Sequence, residues 1–72
     1  EITTDHYQDL DLQHALDNLP TELKTIIILR YFEDQKIGDI AKILDQNENT
    51  VKTKLYRSLK LLRMDLEETI YE

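Results

Sequence analysis

The chain contains no cysteine and only one glycine and one proline among its 72 residues. Without cysteine, neither a disulfide nor a thiolate metal site can stabilise the fold, which fits a reducing compartment such as the cytoplasm. A single glycine excludes a glycine-rich phosphate-binding loop, and so few turn-forming residues leave little room for strands joined by tight turns. Seventy-two residues make one small domain, for which tightly packed helices are the plausible route to stability.

The chain also lacks a long hydrophobic segment. Its longest uninterrupted apolar run, Ile26 to Leu29, is far shorter than the roughly 20 residues that a membrane-spanning helix needs. No signal peptide is visible, so the sequence predicts no membrane insertion and a cytoplasmic protein. The chain begins with Glu1 rather than Met, which suggests a fragment of something larger.

Charge is unevenly distributed along the chain, whose net charge is −6. All 15 acidic residues lie outside residues 49–64. That stretch carries Lys52, Lys54, Arg57, Lys60 and Arg63. A basic helix on an acidic chain is expected to meet a polyanion through one face only. The acidic ends could meet a basic protein partner or be simply solvated.

Helical periodicity predicts four helices. The first covers about residues 9–18, with apolar residues at helical spacing, after a linker or frayed start at 1–8. The second begins near Pro20, which suits a first helical turn. Its four consecutive aliphatic residues could also form a strand, but the length of the segment and its Pro-Thr-Glu start favour a helix that is buried on more than one side. It ends near Tyr31 and Phe32, and we expect both aromatic side chains to fill the core.

The C-terminal half, residues 37–63, is predicted to form a helix-turn-helix. Its first helix covers about residues 37–44, and the residues expected to face inward are Ile37, Ile40, Ala41 and Leu44. Ala41 lies where this helix should cross the next one. A small side chain there permits close approach at a steep angle, the arrangement that projects a recognition helix outward.

A short turn at Asp45 and Gln46 separates the two helices. Aspartate tolerates the left-handed conformation that often ends a helix, although less well than glycine. Asn47 is suited to cap the fourth helix, because its side-chain oxygen can accept a hydrogen bond from an early backbone N–H. We expect the fourth helix to continue at least to Leu62 and as far as Glu68.

The fourth helix is predicted to have one apolar stripe and one polar face. At about 100° per residue, the stripe comprises Val51, Leu55, Leu59, Leu62, Leu66 and Ile70. The opposite side carries Thr53, Arg57 and Lys60, with Lys54 and Tyr56 at its edges. Such side chains can contact guanine, thymine methyl groups or phosphates. Lys36 and the N–H groups that begin the third helix could also rest on phosphates.

These features predict an all-α, four-helix domain that binds DNA through a C-terminal helix-turn-helix. A helical bundle with a solvated basic face is the alternative. An enzyme is not expected, because the carboxylates are scattered and no base accompanies a nucleophile. A metal site can be imagined at His6 and His14, with Asp5, Asp9 and Asp11 nearby. A solvated polar helix face explains these residues better, and we expect no metal and no cofactor.

Several short motifs stand at a characteristic spacing. They are the Leu-Pro opening, Leu-Arg-Tyr-Phe at 29–32, Ile-Ala at 40–41, Thr-Val-Lys at 50–52 and Leu-Tyr-Arg at 55–57. Through them, residues 19–66 resemble region 4 of the sigma-70 superfamily, most closely the extracytoplasmic-function sigma factors. The resemblance implies one domain over residues 1–72 in the winged-helix-like DNA-binding superfamily, without a wing. It also implies a longer sigma factor, so this chain alone should not start transcription.

The resemblance further implies a function and partners. The last helix of this family enters the major groove of the −35 promoter element, and the domain docks on the flap of the RNA polymerase β subunit. Anti-sigma factors commonly occlude such domains. By resemblance, the DNA-contacting residues are Lys52, Thr53, Lys54, Tyr56 and Arg57, with Arg30 on backbone phosphate. The family usually has glycine and an apolar residue where Asp45 and Gln46 stand, departures that bear on the local stability of the turn rather than on function.

Two other functions stay open. The helix-turn-helix of a LuxR-type response regulator shares the Ile-Ala and Thr-Val-Lys positions. That domain usually dimerises, and it lacks the Arg-Tyr-Phe and Tyr-Arg-Ser-Leu segments found here. The acidic ends and the apolar second helix also fit a module that binds polymerase or an anti-sigma factor without reading DNA.

Overall fold

The computed structural model describes the backbone of residues 9–71 and the side chains of residues 11–67. All regular structure in this part of the chain is helical. The helices are α1 (Asp9–Asp17), α2 (Thr21–Ile27), α3 (Ile37–Leu44) and α4 (Glu48–Tyr71), and a π-helical segment (Ile28–Phe32) continues α2. The predicted all-α, four-helix fold is confirmed. The expected linker or frayed start at residues 1–8 lies outside the described residues.

One apolar core joins the helices. Ile26, Ile40 and Val51 are completely buried, and they come from α2, α3 and α4. The surrounding buried residues are Ala15, Leu16, Leu19, Leu23, Ile27, Ala41 and Leu55. Burial of these side chains is the main force that fixes α4 against the three shorter helices. The inward faces predicted for the first and third helices are confirmed, with Leu12, Ile37 and Leu44 half-buried at the edge of the core.

Ser58 is a polar residue on the apolar stripe of α4, and the sequence prediction passed over it. Its side chain is completely buried between Leu55 and Leu62 of the stripe. The hydroxyl lies 2.6 Å from the carbonyl oxygen of Lys54 and 3.0 Å from that of Leu55. Because the helix itself satisfies the hydroxyl, burying it leaves no unpaired polar group.

The end of α2 differs from the prediction. The backbone N–H of Glu33 donates to the carbonyl oxygen of Ile28 at 2.9 Å, an i→i+5 bond that widens the last turn. A wider turn rotates the following residues away from the inward face. Tyr31 and Phe32 are therefore 53% and 61% exposed, and the prediction that they fill the core was wrong. Asp34, at a positive φ of 57°, then reverses the chain toward α3.

The turn between α3 and α4 has the predicted left-handed aspartate. Asp45 has φ 56° and ψ 50°. Its N–H donates to the carbonyl oxygen of Lys42 at 3.2 Å, and the N–H of Gln46 donates to that of Ala41 at 2.9 Å. These two bonds form a Schellman motif, which satisfies carbonyl groups at the end of α3.

The start of α4 also follows the prediction. The Oδ1 atom of Asn47 accepts a hydrogen bond from the backbone N–H of Asn49 at 2.7 Å, so Asn47 is the N-cap. The helix then runs to Tyr71, three residues beyond the predicted end at Glu68. Val51 and Leu55 of the predicted stripe are buried, and Leu59, Leu62 and Leu66 are half-buried. Ile70, the last stripe residue, lies outside the described side chains.

Candidate nucleic-acid interface

The face of α4 opposite the core is exposed and basic. Five of the predicted contact residues have exposed side chains on this helix: Lys52, Thr53, Tyr56, Arg57 and Lys60. Among the large apolar side chains that the structure describes, Tyr56 is the most exposed, at 66%. Within the described part of the chain, the charged groups of Lys52, Arg57 and Lys60 form no ion pair. These cations are therefore available to a polyanion.

Two shallow grooves divide the predicted residues of α4. Thr53, Lys54 and Arg57 line the first groove together with Asn49 and Thr50. Tyr56 and Lys60 line the second, nearer the C-terminus, with Leu59, Arg63, Met64 and Glu67. Five of the eight predicted residues thus line the two grooves, and a sixth, Lys52, is exposed on the same helix.

Lys54 differs from the other cations, because its ammonium group already has protein partners. It lies 2.6 Å from a carboxylate oxygen of Glu22 at the start of α2 and 3.2 Å from the side-chain oxygen of Gln46. The amide nitrogen of Gln46 donates to the same Glu22 oxygen at 2.5 Å. This closed set of contacts ties α4 to α2 and to the turn. One of the three ammonium donors remains for another ligand.

Arg30 and Lys36 line neither groove. The guanidinium of Arg30 donates to the carbonyl oxygen of Gln35 at 3.2 Å and lies over the ring of Tyr31, 5.7 Å from its centre. These contacts hold the connection between α2 and α3. Lys36 is exposed at the N-cap of α3, where its side chain does not cap the helix.

Asn49 is a candidate that the sequence prediction missed. It is exposed in the first turn of α4 and lines the first groove with Thr53 and Arg57. The signal was present in the spacing, because Asn49 is four residues before Thr53 and seven before Tyr56. Residues at these intervals share one helix face. The predicted contact residues of this helix begin only at Lys52, after Thr50 and Val51.

The pKa of Glu22 reports the contact between α2 and α4. The hydrogen bond from Lys54, joined by that from Gln46, lowers the pKa of this carboxyl below its ordinary value of 4.5. Because the pKa of Glu22 is lower in the folded state, its ionised carboxylate stabilises the fold at pH values above its ordinary pKa. This contribution to stability is lost as pH falls through the folded-state pKa.

Replacing Lys54 with alanine should raise the pKa of Glu22 toward 4.5, because the hydrogen bond that lowers this pKa most and the opposite charge are both removed. The measurement is an NMR titration of the Glu22 side-chain carboxyl carbon. The matched control is Lys52→Ala, which removes an exposed lysine of the same helix and should leave the titration of Glu22 unchanged. If Glu22 titrates identically in the wild type and in Lys54→Ala, the contact is absent in solution.

The described part of the chain contains neither a metal-binding group of side chains nor a membrane-spanning helix. Among those residues no three histidine, aspartate or glutamate side chains form a group that could hold a metal ion. His6 and Asp5, which belong to the metal site considered from the sequence, lie outside the described residues. No described helix is both long and apolar enough to cross a membrane.

The short turn between α3 and α4, the packing of both helices in one core and the exposed basic face of α4 together define a helix-turn-helix domain. The family model "Sigma-70, region 4" matches residues 9–62. The chain belongs to this family.

Curated relatives agree with the family assignment. The chain is 63% identical to RNA polymerase sigma factor SigV of Bacillus subtilis over 62 residues, which cover 86% of this chain and 37% of SigV. It is 34% identical to the ECF RNA polymerase sigma factor SigX of the same organism, over 93% of this chain and 34% of SigX. It is 35% identical to the ECF RNA polymerase sigma-E factor of Haemophilus influenzae, over 74% of this chain and 28% of that factor.

The chain thus spans about a third of the length of the curated relatives it matches. No solved structure matches the chain significantly. The comparisons support the predicted relationship to the extracytoplasmic-function sigma factors, and they give no support to the LuxR-type alternative.

Proposed function

We propose that this domain recognises the −35 element of promoters as the C-terminal domain of a sigma factor bound to RNA polymerase. The observation that carries the proposal is the exposed face of α4 over residues 49–64, a stretch without acidic residues, on which Lys52, Arg57 and Lys60 make no ion pair with the described residues. A sigma factor of this kind acts by binding rather than by catalysis, and it works in the cytoplasm, where the polymerase meets DNA.

The residues of α4 take different parts in this proposal. Lys52 and Lys60 bind phosphates, which give affinity without sequence information. Lys54 adds a phosphate contact through its remaining donor. Thr53, Tyr56 and Arg57 contact base edges in the major groove. Arg30 and Lys36, which line neither of the two grooves on α4, would contact the DNA backbone.

The RNA polymerase β flap and an anti-sigma factor are the proposed protein partners. A shallow apolar groove lies on another part of the surface, lined by Leu12, Gln13, Leu16 and Phe32. Exposed Tyr31 belongs to the same π-helical segment as Phe32. Such an apolar surface suits a protein partner. It also keeps a second candidate function in view, a module that binds protein without reading DNA.

Binding of the chain to labelled duplexes with varied −35-like sequences, followed by fluorescence anisotropy, tests the proposed function. About four to six phosphate contacts should make log K fall with log salt at a slope of about −4 to −5. Binding should be weak, because one small module buries little DNA, and polymerase would supply effective concentration by tethering.

Lys54→Ala should weaken binding to all sequences alike and reduce the salt slope by about 1. Ile43→Ala, a substitution of an exposed α3 side chain without charge, serves as the control and should leave the slope unchanged. Salt-independent binding, or binding without any sequence preference even on the polymerase holoenzyme, contradicts promoter recognition. A β-flap pull-down would then test the protein-binding module.

A further inference from the structure

Asn49 occupies a prominent position on the proposed DNA-binding face. It is the second residue of α4 and is exposed. Counting along the helix, Thr53, Tyr56 and Lys60 follow it by four, seven and eleven residues, so the four side chains form one continuous stripe. In helix-turn-helix proteins the N-terminal residues of the recognition helix are those that reach base edges. By this rule, Asn49 is the polar residue of the stripe that is expected to lie nearest to the bases.

The side-chain amide of Asn49 has no hydrogen-bond partner among the described residues, whereas its backbone is occupied. Its N–H is capped by Asn47 Oδ1 at 2.7 Å, and its carbonyl oxygen accepts a hydrogen bond from Thr53 Oγ1 at 3.0 Å. The carboxamide itself makes no hydrogen bond with any residue that the structure describes. It therefore presents one acceptor and two donors from a helical turn whose backbone is fixed at both ends.

We propose that Asn49 reads an adenine in the major groove, an inference that rests on the proposed function. The pattern of adenine there is an N6 amino donor beside the N7 acceptor. The carbonyl oxygen of an asparagine side chain can accept from N6 while its NH2 group donates to N7. Neither lysine nor arginine can do this, because both carry donors only. Of the polar residues that line the first groove, Asn49 alone carries both a donor and an acceptor on one planar group.

Thr53 extends this readout to thymine. Its hydroxyl hydrogen is engaged by the carbonyl oxygen of Asn49, so the groups that it offers are its methyl and an accepting oxygen. Apolar contact between a threonine methyl and the thymine C5-methyl is a known mode of readout. One helical turn separates the two residues by about 6 Å, which is about two base-pair steps of 3.4 Å. The adenine and the thymine should lie within about two base pairs of each other.

The test begins with a preferred duplex selected by the chain from a randomised pool. Each adenine of that duplex is then replaced in turn by 7-deazaadenine, which lacks N7, and each thymine by uracil, which lacks the methyl. We expect one 7-deazaadenine position that weakens binding of the wild type but has no effect on Asn49→Ala. Asn49→Ala itself should lose about 5- to 150-fold in affinity on the preferred duplex and little on random DNA.

Two variants separate base readout from helix structure. Asn49→Asp keeps the acceptor but loses both donors, so it should also lose the preference for adenine over 7-deazaadenine. Thr53→Ser keeps the hydroxyl bond to Asn49 and removes only the methyl. Its affinity for the thymine duplex should fall about fourfold, which corresponds to the free energy of burying one methyl group. It should also no longer distinguish thymine from uracil. Circular dichroism melting of each variant reports whether α4 is intact.

Failure of this inference can be told apart from failure of the proposed function. If Asn49→Ala keeps the wild-type preference at every adenine while Arg57→Ala loses sequence selectivity, Asn49 is no adenine reader and promoter recognition stands. If the wild type binds every sequence equally, both as the isolated chain and on the polymerase holoenzyme, both ideas are overturned. Loss of affinity on random and preferred duplexes alike by Asn49→Ala also overturns adenine readout, since it assigns Asn49 to the DNA backbone.

Discussion

Replacing Arg57 with alanine should cost about 1–3 kcal/mol of binding free energy on the preferred duplex and much less on random DNA. Arg57 is exposed on the outer face of α4, lines the first groove, and forms no ion pair with the described residues. Its planar guanidinium can donate two parallel hydrogen bonds to the O6 and N7 atoms of guanine. A contact of this kind is made only on the right sequence, which is why the loss should be selective.

The matched control for Arg57→Ala is Lys52→Ala. Lys52 is an exposed cation on the same helix, and as a phosphate contact it should weaken both duplexes by a similar factor. Anisotropy at two salt concentrations measures both variants, and thermal melting should find both as stable as the wild type because the side chains are exposed. An equal loss on preferred and random DNA for Arg57→Ala would make Arg57 a phosphate contact and leave base readout to its neighbours.

Replacing Ile40 with alanine should destabilise the fold by about 2–5 kcal/mol. Ile40 is completely buried in α3, where it packs in the core with Val51 of α4 and Ile26 of α2. A domain of this size has a total stability of only about 4–11 kcal/mol. The substitution should therefore remove much of the stability, and with it the position of α4 that DNA binding requires.

Ile43→Ala is the matched control for Ile40→Ala, because it makes the same chemical change three residues along α3. Ile43 is 58% exposed, so its loss should change stability by less than about 0.5 kcal/mol. Urea unfolding followed by circular dichroism gives both free energies. Equal destabilisation by the two variants would mean that α3 does not present Ile40 to the core as the structure has it.

Local patterns predicted the helix-turn-helix well. The spacing of apolar residues in α3 and α4 predicted which side of each helix is buried. The ability of Asn47 to cap a helix and of Asp45 to adopt the left-handed conformation predicted the turn between them. These features depend on residues within one or two helical turns of each other. Periodicity and capping rules describe interactions at that range, so they recovered the exposed face of α4 from the sequence.

Three features could not be predicted from local patterns. The π-helical turn that exposes Tyr31 and Phe32 shifts the helical phase by one residue, and nothing in the local apolar pattern announced this shift. The contact between Lys54 and Glu22 joins residues 32 positions apart, which periodicity does not relate. Ser58 is polar, so a rule based on apolar side chains placed a gap where the structure has a buried, internally bonded hydroxyl.

Chemical-shift mapping by NMR tests the central claim most directly, namely that the outer face of α4 meets DNA. The labelled chain is titrated with its preferred duplex and, separately, with a random one at moderate salt. The largest changes should fall on the side chains and amides of Asn49, Thr53, Tyr56 and Arg57, and they should be larger with the preferred duplex. Changes confined to Leu12, Leu16 and Phe32, with α4 unaffected, would contradict the claim and assign the interaction to the apolar surface.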